Sequence, residues 1–134
     1  MKEMTKNIQM TAWRKVPGTD IGVSADGTCV FNTKKLKEYS VCETQGGYKL
    51  ICCKPLRDAG WTSSQFVHHI VAAAFLGWRP DMDGIEVHHI DGNNSNNSAD
   101  NLCLLTERGH EKIHKICRVG KKFHKKDIEE IDVL

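Results

Sequence analysis

Five of the chain's seven histidines fall between positions 88 and 124, and this crowding constrains the fold more than any other feature. Glu86-Val87-His88-His89-Ile90 reads as a strand, and Asn101-Leu102-Cys103-Leu104-Leu105 reads as a second strand returning after a loop from Asp91 to Asp100 filled with Asn and Ser. Thr106 stands where it can cap a helix carrying His110 and His114. Residues four apart share a helical face, so these two imidazoles can converge on one metal ion. Adjacent strand residues point to opposite sides, so His88 and His89 must divide their labour. The predicted unit is a hairpin followed by a helix, with a metal between them.

Upstream, Trp13 to Cys53 is a series of short extended signals broken by Pro17-Gly18, Asp26-Gly27 and Gly46-Gly47, which predicts a small antiparallel sheet. Its clearest strand is Tyr48 to Cys53, followed by a loop to Ser64. The Ala-rich apolar run from Gln65 to Leu76 is too long for one strand; with Ser63 or Ser64 to cap it and Gly77 to stop it, it predicts a buried helix. A chain of 134 residues, 40% hydrophobic and 27% charged, is expected to build one core. The expected architecture is α+β in a single domain over 1–134. It comprises a β-rich part at about 12–54, a helix at about 65–77, a module at about 86–118 and a basic then acidic tail at 115–134.

The longest strictly apolar run, Ile70 to Leu76, falls far short of the ~20 residues that cross a bilayer. The first residues, Met1-Lys2-Glu3-Met4-Thr5-Lys6-Asn7, lack the apolar stretch of a secretory signal, so a cytoplasmic chain without membrane contact is expected. The six cysteines then read as reduced thiols, and the lack of any CxxC pair removes the usual zinc ribbon. Net charge is +2, but it is unevenly distributed. Lys115, Arg118, Lys121, Lys122, Lys125 and Lys126 form a basic stretch without acids, and Asp127, Glu129, Glu130 and Asp132 follow without bases. That stretch is either a solvated helix face or an arm that tracks phosphates.

The segment Val87-His88-His89-Ile90-Asp91-Gly92-Asn93, then Asn96 to Leu102, then His110 and His114, resembles the HNH endonuclease family in order and spacing. Gly22-Val23-Ser24-Ala25-Asp26-Gly27 and Phe66 to Phe75 are similar to segments that precede the nuclease in phage intron-type homing endonucleases, so the resemblance spans about Trp13 to His114. It implies a ββα-metal nuclease module preceded by a small antiparallel sheet and a buried helix. Under the resemblance His89 is the general base that deprotonates water, its other ring nitrogen held by a backbone carbonyl. Asn101 becomes the structural Asn that ties the loop ends and fixes the backbone around His89. His88, His110 and His114 become ligands of one divalent ion, a set closer to bacterial toxin DNases than to relatives with Asn or Asp there. Three imidazoles favour zinc, nickel, cobalt or manganese, whereas magnesium prefers oxygen donors. The implied partner is double-stranded DNA, cut to 5′-phosphate and 3′-hydroxyl ends. The implied setting is a bacterial cytoplasm or a phage genome. One constellation per chain and no heptad pattern lead to the expectation of a monomer that nicks.

Competing patterns are poorer fits. His110-Glu111-Lys112-Ile113-His114 matches the zinc-protease HExxH, but Cys117 and Gly120 stand where the longer metzincin signature needs glycine and histidine. The loop from Asp91 places Asp91, Asn93 and Ser95 like an EF-hand, yet has Asn96 and Leu102 where Gly and Glu belong. Asn93-Asn94-Ser95 and Asn96-Asn97-Ser98 match a glycosylation acceptor that a cytoplasmic chain would not use. A DNA-binding module that has lost catalysis is disfavoured by the intact set of candidate site residues. The second pair, His68-His69, sits in the apolar run. His68 reads as a core or helix-start hydrogen bonder and His69 as a phosphate contact.

Overall fold

The computed structural model describes residues 12–62, 65–82 and 84–106. The architecture is α+β, with three antiparallel sheets around one helix. The first sheet is a meander of β1 (Trp13–Lys15), β2 (Ile21–Ser24), β3 (Val30–Asn32) and β4 (Lys37–Glu38). Its β2–β3 turn is set by Asp26, whose Oδ1 accepts from Ser24 Oγ at 2.7 Å, Thr28 Oγ1 at 2.7 Å and the Thr28 N–H at 3.0 Å. Gly27 completes that turn at φ +73, a left-handed conformation that other residues adopt only with strain.

The second sheet pairs β5 (Cys42–Glu43), β6 (Lys49–Ile51) and β7 (Gln65–Phe66). Between β6 and β7 lies α1 (Lys54–Asp58), with Pro55 in its first turn and only Leu56 buried. Then come α2 (Val67–Phe75) and a hairpin of β8 (Ile85–His89) and β9 (Leu102–Thr106), with a 3₁₀ turn at Ala99–Asn101 just before β9.

Helix α2 is the hub. It contributes Val67, Ile70, Val71, Ala72 and Ala73 to a core shared with Ile21, Val23, Val30, Ile51, Leu56, Leu102 and Leu104. A helix apolar nearly all round is stable only when covered on every side, and α2 packs against strands of all three sheets. Each fully buried side chain such as Ile70 or Val71 contributes about 1.5–3 kcal/mol. The helix ends where Gly77 turns left-handed at φ +79 and the Trp78 N–H donates to Ala72 O at 3.2 Å, which folds Trp78 back onto the helix.

Four features differ from the sequence-based expectation. The β-rich half is two sheets, because the Gly46-Gly47 hairpin pairs with Gln65–Phe66 rather than with the meander. The segment after Cys53 holds α1, too short to show a helical period. The helix starts at Val67, because Gln65 and Phe66 extend the second sheet, and its N-cap residue Phe66 makes no side-chain capping bond. Gln65 is held there by accepting the Cys53 N–H at 2.8 Å and donating to Thr62 O. The hairpin strands run one residue later than read at the start of β9 and one earlier at the start of β8. Ser63, Ser64, the segment carrying His110 and His114, and the basic and acidic tail lie outside the described residues. No helix among the described residues is long and apolar enough to cross a membrane.

Candidate active site

Register in the β8–β9 hairpin sets His88 opposite Cys103 and His89 opposite Leu102. His88 is half-buried and His89 is buried, consistent with strand alternation turning the two rings to different sides. The loop after His89 is a self-bonded polar clasp. Asp91 Oδ1 accepts the Asn93 N–H at 2.8 Å and Asn101 Nδ2 at 2.9 Å, while its Oδ2 accepts Asn96 Nδ2 at 2.9 Å. Partial burial alone would raise the Asp91 carboxyl, but these three hydrogen bonds and the nearby His89 outweigh it and hold it below the usual carboxylate range.

Asn101 uses its whole amide and its backbone. Its Oδ1 accepts the Asp91 N–H at 3.1 Å, its Nδ2 also donates to Asn96 O at 2.9 Å, and its carbonyl accepts the Ile90 N–H at 2.7 Å. The loop ends are thus tied together immediately beside His89. The clasp is braced from outside as well. Asn94 Nδ2 donates to Gly46 O at 3.0 Å, Ser95 Oγ donates to Gly47 O at 2.8 Å, and the Ala99 N–H donates to Ala25 O at 2.7 Å. Turns of both upstream sheets therefore hold the loop that holds His89.

The hydrogen-bond partner of His89 is a side chain rather than the expected backbone carbonyl: its Nε2 lies 2.8 Å from Asn97 Oδ1. Asn97 is 3% exposed and His89 5%, so water does not compete for this bond. The His89 ring also meets His68, with centroids 4.8 Å apart, and His68 meets His69 at 4.3 Å. His69 stacks on Trp78 at 4.6 Å. Burial first, then the neighbouring imidazoles His69 and His89, push His68 down to about 3. Burial and His89 push His69 down to about 4. Both are neutral in ordinary buffers.

The structure therefore brings His89, Asn101, Asp91 and Asn97 together with the second histidine pair, of which the sequence suggests only a core role for His68 and a phosphate contact for His69. Asn97 carried no signal that separated it from its neighbouring Asn residues. His68 did carry one, a histidine on an otherwise apolar buried helix. Among the described residues, no group of three or more His, Cys, Asp or Glu side chains could hold a metal ion; of the candidate ligands only His88 is described. Burial raises the Cys29 thiol to about 12, with Glu38 and Asp26 adding to it, and burial raises Cys103 to about 11, so neither is a ready nucleophile.

A strand ending in His89, an Asn-tied loop and a returning strand, packed on a buried helix, make up the site. The HNH endonuclease family model matches residues 65–112, the segment from the start of β7 through the hairpin and beyond. Among solved structures, the chain is similar to one from work on DNA binding and cleavage by the HNH homing endonuclease I-HmuI, at a TM-score of 0.61 and 25% identity. That likeness covers 88% of this chain and 64% of the I-HmuI chain. No curated protein matches. The two matches together support placing the chain in the HNH endonuclease family.

Proposed function

We propose that this chain is a metal-dependent DNA endonuclease that hydrolyses phosphodiester bonds, of the homing or nicking kind. The observation that carries the reading is the placement of His89. It ends β8, is hydrogen-bonded through Nε2 to Asn97, and is followed by the Asp91–Asn101 clasp, all within the segment that matches the HNH model. A neutral imidazole fixed at one nitrogen has the other available to take a proton from water near pH 7. His89 is the proposed general base, and Asn101 holds the backbone on which that base stands.

His88 precedes His89 on β8 and is half-buried. With His110 and His114, outside the described residues, it supplies three nitrogen donors, a set whose chemistry fits one divalent ion among Mg, Mn, Zn, Ni and Co, the last four best. When bound, such an ion stabilises charge on the scissile phosphate and the departing 3′ oxygen. Double-stranded DNA is the proposed partner, the phosphate contacts of the Lys115–Lys126 stretch add to its binding, and one centre per monomer makes the product a nick.

Digestion of supercoiled plasmid by purified protein, with EDTA and with each divalent ion in turn, tests the reading. Metal-dependent conversion to open circle ahead of linear product supports it. Linear DNA formed without an open-circle intermediate would overturn the nicking monomer, and no cleavage with any ion would overturn the nuclease.

A further inference from the structure

We infer that Asn97 is a positioning residue for His89: its amide oxygen accepts the hydrogen on Nε2, fixes the ring tautomer and leaves Nδ1 as the basic atom. The inference rests on the nuclease reading for its catalytic meaning, but not for its geometry. Which nitrogen of a neutral imidazole carries hydrogen is set by the bond the other atoms make. An amide oxygen can only accept, so a 2.8 Å contact between Asn97 Oδ1 and His89 Nε2 places the hydrogen on Nε2. Both residues are buried, and a bond shielded from water is not exchanged for one to solvent.

The position of Asn97 is itself fixed by the upstream sheet. A Cβ built on Gly27 would meet the backbone carbonyl of Asn97 and lie 2.7 Å from its Cβ, so the β2–β3 turn and this residue are in direct contact. On the same turn, Ala25 O holds the Ala99 N–H at 2.7 Å. On the other flank, Asn101 Nδ2 holds Asn96 O at 2.9 Å. Asn97 is thus clamped on both sides along the chain and from below. Its backbone is held in place, and its Oδ1 faces His89 Nε2, so the meander reaches the proposed base through this side chain.

Three substitutions and one spectrum test this. Asn97→Leu keeps the volume and removes the acceptor, whereas Asn97→Asp keeps an acceptor oxygen in the same place. With saturating DNA, Asn97→Leu is expected to lower kcat on the order of 100-fold with KM nearly unchanged, and Asn97→Asp to recover most of that loss. If Asn97 instead donated through Nδ2, Asn97→Asp would be as inactive as Asn97→Leu, and the inference would be wrong. Imidazole ¹⁵N shifts of the DNA-free protein read the tautomer directly: His89 is expected to show Nε2 protonated and Nδ1 bare, a preference lost in Asn97→Leu and kept in Asn97→Asp. A wild-type ring protonated on Nδ1 would overturn the inference even if the protein cleaves DNA. The expected spectrum in a protein that cleaves nothing would leave the tautomer assignment standing and reject the nuclease reading alone. Gly27→Ala, which presses on Asn97 from outside, is expected to shift the same His89 signals; unchanged signals would contradict the clamp.

Discussion

The imidazole of His68 lies 4.8 Å from that of His89, centroid to centroid, with the rings inclined at 55°. Helix α2 therefore meets the hairpin at the proposed base itself. His68 Nδ1 has no hydrogen-bond partner among the described residues, and the ring is 6% exposed. A buried polar nitrogen without a partner is costly, and the cost grows sharply if the ring is charged.

That cost gives stability a pH dependence. His68 and His69 titrate near 3 and 4 in the fold against 6.5 in the unfolded chain, so the unfolded state binds more protons between these values. The stabilisation is complete above pH 6.5 and is lost as pH falls toward 4 and then 3, on the order of a few kcal/mol in all. His68→Leu removes the larger contribution and the unpartnered nitrogen. Urea unfolding across this range should show a shallower acid decline for the variant and, at pH 8, stability within about 1 kcal/mol of wild type or above it. Parallel declines would show that His68 is not the source.

Asn101 is predicted to be worse as Asp than as Ala. Asn101→Ala removes two side-chain donations and one acceptance, a loss of about 2–3 kcal/mol at the net value of such bonds. Asn101→Asp adds a carboxylate where Nδ2 now stands 2.9 Å from Asp91 Oδ1, facing a group held ionised. Melting temperatures at pH 7 should fall in the order wild type, Asn101→Ala, Asn101→Asp. An Asp variant as stable as the Ala variant would contradict the clasp.

Gly18 and Gly27 separate strain from crowding. Both have left-handed φ, +76 and +73, but a Cβ at Gly18 meets nothing within 4 Å while one at Gly27 meets Asn97. Gly18→Ala should cost only the conformational penalty of about 1–2 kcal/mol, and Gly27→Ala clearly more. Equal losses in urea unfolding would mean that the turn and Asn97 yield to each other freely.

The hairpin and its polar loop were legible in the sequence because alternation, Asx chemistry and histidine crowding all point the same way at 86–105, and β8 and β9 lie within a residue of that reading. The central helix was legible from its apolar run, though not its start, since Gln65 and Phe66 pair with β6 through tertiary contacts no local pattern encodes. The same limit hid the second histidine pair. Nothing in the spacing from His68 to His89 says that the rings touch; only the packing of α2 beneath the hairpin does so. Asn97 was hidden among like neighbours, and its burial under Gly27 is what singles it out.

The basic stretch makes a separable prediction. Replacing Lys121, Lys122, Lys125 and Lys126 by Ala should weaken DNA binding and flatten its salt dependence, because fewer counterions are released, while cleavage at saturating DNA survives. An unchanged salt slope would mark the stretch as a solvated face.

The most direct test of the central claim compares His89→Ala with Glu111→Gln in metal-supplemented plasmid cleavage, with metal content measured on the same samples. The account predicts that His89→Ala retains bound metal and loses at least ~100-fold in cleavage rate, since a base and not a ligand is removed, while Glu111→Gln stays near wild type. Full cleavage by His89→Ala, or loss of activity on Glu111→Gln alone, would contradict it.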